Sequence, residues 1–243
     1  MTADRSPGEW SQAVRHQAAV AQIGQLGLGS GDLDEVLRAS LLVAVDALGV
    51  EDAALFELQA RSAALLGRAA VHRGAAVGRR RMGRVEIPEG TDSLPGFALR
   101  GSGSVVSPDL LADERFRPLA PRHGFDAKAA VAVPIGWGPE PWGVLVVYDR
   151  ALRAWTPDEV HLVESVANTM GLAIQRAAVE RELRDSTTRL DLALGAGGLG
   201  LWTWTSDGDR LAFNDAALEV FGLSAATYSG IGSDFVAVVN PDE

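Results

Sequence analysis

Apolar residues at the start of the chain recur at helical spacing. Val14, Ala18, Ala21 and Leu28 predict one face of an amphipathic helix over 11–28, closed by the glycine-rich stretch at 27–31. A sharper stripe follows, formed by Leu33, Leu37, Leu41, Ala44 and Leu48. Asp32 and Glu35 stand at capping-box spacing before it, and Gly49 stops it.

The pattern then shortens. "DAALFEL" (52–58) and "ALLGRAAVH" (64–72) read as strands, and "MGRVEI" (82–87) alternates before Pro88. "LPGFALRGSG" predicts a short helix ending in glycines, and "SVVS" a brief strand. The strongest β signal is the pair "AAVAVPI" and "WGVLVVYD" at 129–149, flanking the turn-rich "GWGPEP". Both runs are apolar on both parities, and such strands are covered on both faces. The expected fold is α+β, a central antiparallel sheet with helices on each side. Trp142 and Tyr148 share a parity, which predicts that they pack into the core on one side of it.

A long helix comes next. Thr156 caps it, Pro157 suits its first position, and Asp158 and Glu159 suit the positive end of its dipole. Thr156 and Glu159 also have capping-box spacing. Val160, Val163, Ala167, Met170, Ile174 and Ala177 form its stripe, and nothing breaks it before Gly195. At 1.5 Å per residue that is a rod of roughly 50 Å. Beyond 177 the stripe thins to Val179, Leu183, Leu190 and Leu194 around the polar "ERELRDSTTR". This predicts a two-stranded coiled-coil connector and a homodimer through helix 156–190; the bland alternative is a single solvated linker helix.

Past Gly195 the character changes. "GAGGLGLWTW" and "RLAFN" predict two strands joined by "SDGD", then a short helix "DAALEVFGL" stopped by Gly222. "SDFVAVV" predicts a further helix with Ser233 as its cap. Trp202 and Trp204 share a parity and line either a cavity or an exposed sheet face, where two indoles invite association.

Composition narrows the function classes. With 47% apolar residues the chain builds a real core. No stretch has the ~18 uninterrupted apolar residues of a membrane span, and the N-terminus lacks a signal-peptide pattern, so a cytoplasmic protein without a membrane partner is expected. The absence of cysteine excludes disulfides, thiolate metal sites and thiol nucleophiles together. A net charge of −10 repels a phosphate backbone, so nucleic acid is not expected as a partner. The basic run Arg79-Arg80-Arg81 reads as a solvated loop.

Three segments, in this order and spacing, resemble the GAF domain, a small-molecule sensor fold: "VVSPDLLADERF" (105–116), "AAVAVPIGWGPEPWGVLVVYD" (129–149) and "RAWTPDEVHLVESVANTMGLAI" (153–174). The resemblance covers about residues 20–177. Residues ~187–243 resemble the first half of a PAS domain, through "LDLALGAGGLGLWTWTSDGDRLAFNDAALEVFGL" and "NPDE". The implied organisation is an N-terminal helical lead (1–19), a GAF sensor domain (20–177), a connector helix (178–194) and a partial PAS domain (195–243). The sequence is expected to stop midway through that second domain, as a fragment or a remnant, since about 55 residues cannot bury what such a sheet must cover.

Against this background the chain carries no recognisable catalytic or phosphate-binding motif. "GLGSGD" (27–32) lacks the lysine of a phosphate loop, and "GAGGLG" (195–200) precedes a strand instead of following one. His16, His72, His123 and His161 are scattered. GAF-fold sulfoxide reductases and covalent bilin carriers use cysteine, which disfavours both. The cyclic-nucleotide pattern of other GAF domains is not reproduced around Phe125 and Asp126. Haem ligation by His123 is disfavoured by its polar neighbours Arg122 and Asp126, and no cofactor is identified. The GAF resemblance implies a pocket between the sheet and loops 88–128, with Asp109, Phe116, His123, Phe125, Ala130 and Ala132 as candidate lining. Asp109 either accepts from a ligand or, the favoured reading, caps the turn near Leu110. The expected function is a non-catalytic sensory module that binds a small ligand or partner and signals through a dimeric helix. The alternatives are an input fragment of a signalling enzyme, such as a diguanylate cyclase or phosphodiesterase, histidine kinase or serine phosphatase, and a ligand-free dimerisation scaffold.

Overall fold

A computed structural model describes residues 7–28, 32–59, 64–78, 86–88, 93–101, 103–116, 126–136, 141–224 and 228–239. The chain divides into two compact units, Met1–Ala177 and Ala178–Glu243.

The first unit opens with helices α1 (Pro7–Leu28) and α2 (Leu33–Leu48). Strands β1 (Asp52–Gln59), β2 (Ala64–His72), β3 (Ala75–Gly78) and β4 (Glu86–Pro88) follow. Helix α3 (Leu94–Arg100), then β5 (Val105–Ser107), β6 (Ala129–Ile135) and β7 (Gly143–Asp149), complete the sheet. Six strands lie in the order β3–β2–β1–β7–β6–β5, and β4 pairs the other end of β2. Every pairing is antiparallel. The doubly apolar strands β6 and β7 sit inside the sheet as their sequence predicts. Pro134 in β6 lies beyond the reach of β5, which begins at Val105 opposite Ala132, so on that side no strand pairs with it. Gly143 is required: a Cβ there would lie 2.0 Å from the Phe56 carbonyl oxygen.

Alternation sorts the sheet into two cores. Val131, Val133, Ile135, Leu145 and Val147 pack with α1, α2 and the next helix, α4 (Pro157–Ala196). Ala130, Ala132, Val144, Val146 and Tyr148 pack with α3 and the segment after β5. Trp142 departs from expectation. It stands just before β7 and packs against the helical side, opposite Tyr148.

The α2 stripe is buried from Leu37 to Leu48, with Leu33 partly buried, but Asp32 caps the helix through the Asp34 N–H, one residue short of Glu35. Gly49, at φ +66°, closes it. The α1 face is corrected. Val14, Ala18 and Ala21 are exposed, whereas His16, Ala19 and Ile23 face the core. Alanines surround this helix, so its sequence marks no single side. Helix α4 opens with a reciprocal capping box: Thr156 Oγ1 accepts from the Glu159 N–H, and the Glu159 carboxylate accepts from the Thr156 N–H. Arg153 fastens this start, donating to Glu159, to Asp149 on β7 and to the Leu48 carbonyl that ends α2. Val163, Ala167, Met170 and Ile174 are buried against the sheet.

The second unit begins within α4. The helix closes in a Schellman turn, with Gly198 at φ +61° and N–H bonds from Leu199 to Leu194 and from Gly198 to Gly195. Strands β8 (Trp202–Thr205) and β9 (Arg210–Phe213) form a hairpin. Helices α5 (Asp215–Val220) and α6 (Gly232–Val239) follow. Ser233 does not cap α6. The helix starts one residue earlier, and Asp209, from the hairpin turn, accepts from the Ser233 N–H. Among the described residues no helix is long and apolar enough to cross a membrane.

Candidate functional site

The two faces of the first unit's sheet are covered differently. One carries long helices. The other carries the short α3 and the turns at 108–116, the kind of cover from which ligand sites are usually built. Ser93 caps α3 by accepting from the Gly96 N–H, which presses Leu94, Pro95 and Ala98 into this face.

Register lines up a polar rank beneath that cover. Ser107 stands opposite Ala130, Ala130 opposite Tyr148, and Tyr148 opposite Asp52. His72 Nδ1 lies 2.9 Å from the Asp52 carboxylate at the end of the rank. Ser107, Ala130, Tyr148 and Asp52 are all buried. Asp52 accepts from Arg150 Nε at 2.7 Å and from the Arg73 N–H at 3.0 Å. This pins the two-residue β2–β3 turn, where Arg73 and Gly74 both hold positive φ. Burial alone would raise the Asp52 pKa. The Arg150 hydrogen bond, the Arg73 N–H and the charges of Arg150 and His72 outweigh it, and the net shift is downward. Burial, with the Asp52 charge behind it, pushes the Tyr148 phenol up. A saturated carboxylate and a protonated phenol suit hydrogen bonding rather than proton transfer.

The sequence-predicted residues divide. Asp109 is a cap, accepting from the Leu111 and Ala112 N–H groups through one carboxylate oxygen. Phe116 is buried, its ring centroid 6.0 Å from that of Phe97. Ala130 and Ala132 are fully buried on the same face. Phe116, Ala130 and Ala132 thus meet in one cluster. His123 and Phe125 lie outside the described residues, as do Arg79–Arg81 and the start of the predicted strand at 82–87. Arg115 forks onto Asp113 at 2.8 and 2.6 Å, donates to the Val106 carbonyl, and lies over the rings of Phe97 and Phe116. Its hydrogen bonds hold the Asp113 carboxyl down to about 2. This clamp fixes the cover to β5.

The rank of Asp52, Tyr148 and Ser107 escaped sequence reasoning, because cross-strand register is not visible in one chain. Its signal was a lone polar residue at the margin of each apolar run. On α4, Val179, Leu183 and Leu190 are more than half exposed, and Leu194 is half-buried. Leu172, seven residues before Val179, is also exposed and was missed. Among the described residues there is no group of three or more His, Cys, Asp or Glu that could hold a metal.

Comparison with known proteins fits this architecture. The family model for the GAF domain matches residues 32–174, more than half of the sequence, and the chain belongs to that family of sensory and ligand-binding signalling modules. The GAF domain of a phosphoenolpyruvate-protein phosphotransferase from Coxiella burnetii is similar, with a TM-score of 0.62 and 17% identity over 70% of this chain and 98% of that one. The free methionine-R-sulfoxide reductase of Neisseria meningitidis, solved with its substrate, has a TM-score of 0.56 and 19% identity over 67% and 91%. The GAF domain of nlh2 from A. aeolicus, in an inactive state, has a TM-score of 0.53 and 18% identity over 68% and 99%. At these identities the likeness is one of fold. No curated protein matches the chain.

Proposed function

We propose that this protein is a cytoplasmic, non-catalytic sensory module whose GAF unit receives a small ligand or partner under the α3 and 108–116 cover. It works as a homodimer joined through α4, and the second unit is the N-terminal part of a PAS domain that relays to an output. The observation that most supports this is α4 itself. One helix starts in the GAF core with buried Val163 and Met170, then continues with Val179, Leu183 and Leu190 exposed at spacings of four and seven. Apolar residues so spaced on an otherwise polar rod suit a two-stranded partner. A ligand shifts such a dimer only by its difference in affinity for two packings, and about 1.4 kcal/mol changes the ratio tenfold.

Native mass spectrometry of the intact chain, paired with oxidative crosslinking of a Leu183→Cys variant, tests this. The chain has no other cysteine, so any disulfide reports that position. A dimer mass, a rapid crosslink and a ligand that alters its rate are expected. A monomeric mass with no crosslink rules out the dimer. Screening that finds no ligand or partner able to move stability or crosslinking rules out the sensor. A second reading, a ligand-free scaffold, is favoured by the full burial of Phe116, Ala130 and Ala132, and would be recognised by a dimer indifferent to every ligand.

A further inference from the structure

We propose that the cleft of the second unit binds an organic cation, an alkylated ammonium with an apolar body, between Trp202, Trp204 and the Phe213–Phe221–Phe235 cluster, beside the Asp209 carboxylate. The cleft has about 730 Å³ and lies wholly within that unit. This size suits a small ligand. Trp202 and Trp204 stand two apart on β8, opposite Phe213 and Leu211, and are 59% and 56% exposed. The three phenylalanines form a closed set, with centroids 4.9 to 5.5 Å apart and tilted or edge-on rings.

One charge faces this aromatic wall, and it is built in. Asp209 holds φ +49°, accepts from Trp204 Nε1 at 2.9 Å and from the Ser233 N–H at 2.8 Å, and its carbonyl accepts from the Gly232 N–H at 2.8 Å. A Cβ at Gly232 would stand 2.5 Å from the Asp209 carboxylate, so only glycine admits the arrangement. The donors around Asp209 are neutral, and they depress its pKa, the Trp204 indole foremost. Among the described residues no cation pairs with it. Arg210 is the one basic residue beyond Gly195, against Asp207, Asp209, Asp215, Glu219, Asp234, Asp242 and Glu243.

The chemistry selects the ligand. Ring faces carry negative quadrupoles and attract cations, and a carboxylate beside them adds to the attraction. An anion is repelled. A bare ammonium needs acceptors for three N–H groups, and apart from the Asp209 carboxylate the named side chains of this cleft are mostly aromatic and aliphatic. Alkylation removes those donors while keeping the charge.

Calorimetric and ligand-observed NMR titrations of the full chain test this, with choline and its neutral carbon isostere 3,3-dimethylbutan-1-ol as probes. Saturable binding of choline is expected, one per chain, with the alcohol weaker by about tenfold or more. Trp202→Ala and Asp209→Asn should each weaken choline by roughly fivefold or more. Asp209 also caps α6, so Trp202→Ala, at an exposed position, is the variant that separates binding from folding. The circular dichroism of Trp202→Ala should match the parent. No saturable binding overturns the proposal, as does an alcohol that binds within about twofold of choline, which would mark a merely apolar slot. Choline affinity unchanged in Trp202→Ala also overturns it. So does a dimer that Trp202→Ala dissociates while choline does nothing, since a second copy would then fill the cleft.

Discussion

The central sheet and the β8–β9 hairpin are both antiparallel, yet they are held in opposite ways. On β7, Gly143–Tyr148 are all buried, and β1 and β6 flank the strand. On β8, Trp202–Thr205 are all exposed. A strand covered on both faces draws its stability from apolar area and close packing, whereas a two-stranded hairpin is marginal in water. The second unit relies on directed polar contacts in compensation. Asn214 caps α5 through the Ala217 N–H and also accepts from the Leu201 N–H, while its amide donates to the Leu199 carbonyl. Asp209 does the corresponding work for α6. The first unit should therefore be sensitive to volume and backbone clearance, and the second to the loss of single hydrogen-bonding side chains.

The sharpest test of the first half is Gly143→Ala. One methyl group would drive into the Phe56 carbonyl between two central strands. The expected cost exceeds about 3 kcal/mol, enough to unfold the GAF unit in a thermal melt. A variant that melts within a few degrees of the parent would show that the sheet centre is looser than its burial implies.

Asp52→Ala should cost about 3 kcal/mol, because it leaves Arg150 and the Arg73 N–H without their shared acceptor. Here the pH dependence has a defined sign. The folded-state pKa of Asp52 is lowered, so its contribution is complete above the unfolded value of about 4 and is lost as pH falls through the folded one. Asp113, held at about 2, acts in the same acid window. Urea titrations from pH 7 downward should show the parent losing stability below about pH 4, and Asp52→Ala losing less over that range. Parallel acid limbs in the two proteins would remove Asp52 as a pin of the sheet edge.

How much of this was legible followed from whether the cause was local. β2 was read at its full length, Ala64–His72, because Arg61-Ser62 before it and Arg73-Gly74 after it bound its apolar run. The Thr156–Glu159 box was legible because a capping box is a four-residue event. The central place of β6 and β7 followed from apolar side chains on both parities. What failed depended on distant partners. No local rule says that Val14 faces water while Ala19 faces α2, or that Trp142 and Tyr148 part company across the sheet. The bulge that throws Arg68 out of the β1–β2 ladder, toward Glu57 and Asp34, is a register event and leaves no periodic trace. The cap of α6 was assigned to Ser233, its nearest candidate, although the working acceptor is Asp209 from the preceding hairpin. The candidate site shared this limit, since Phe116, Ala130 and Ala132 were found from their segment but Asp52 was not.

For the second unit the corresponding probe is Asn214→Ala. It removes an N-cap and two bonds to the 199–201 segment, for an expected loss of about 1–2 kcal/mol. The loss should be confined. Amide exchange should accelerate across 199–224 and stay unchanged in β6 and β7. If protection falls in both units together, they unfold as one body, and the contrast between an apolar and a polar economy of contacts does not hold.

The smallest effect on folding, and the most informative about assembly, is expected on α4. Leu183 and Leu192 are 67% and 69% exposed on the single chain, so replacing either with Asp should change the intrinsic stability of that chain by less than about 0.5 kcal/mol, any further loss in Leu183→Asp being the lost association. They are nine residues apart, which at 3.6 residues per turn places them on opposite sides of the helix, about 180° from each other. Leu183 shares its side with Val179 and Leu190; Leu192 does not. In sedimentation equilibrium, Leu183→Asp should therefore shift the protein toward monomer, because two carboxylates would face each other across a closely packed seam. Leu192→Asp should leave the association constant unchanged. Equal behaviour of the two variants would show that the exposed leucines are solvated side chains on a lone rod, and the helix would then lose its place as the dimer contact.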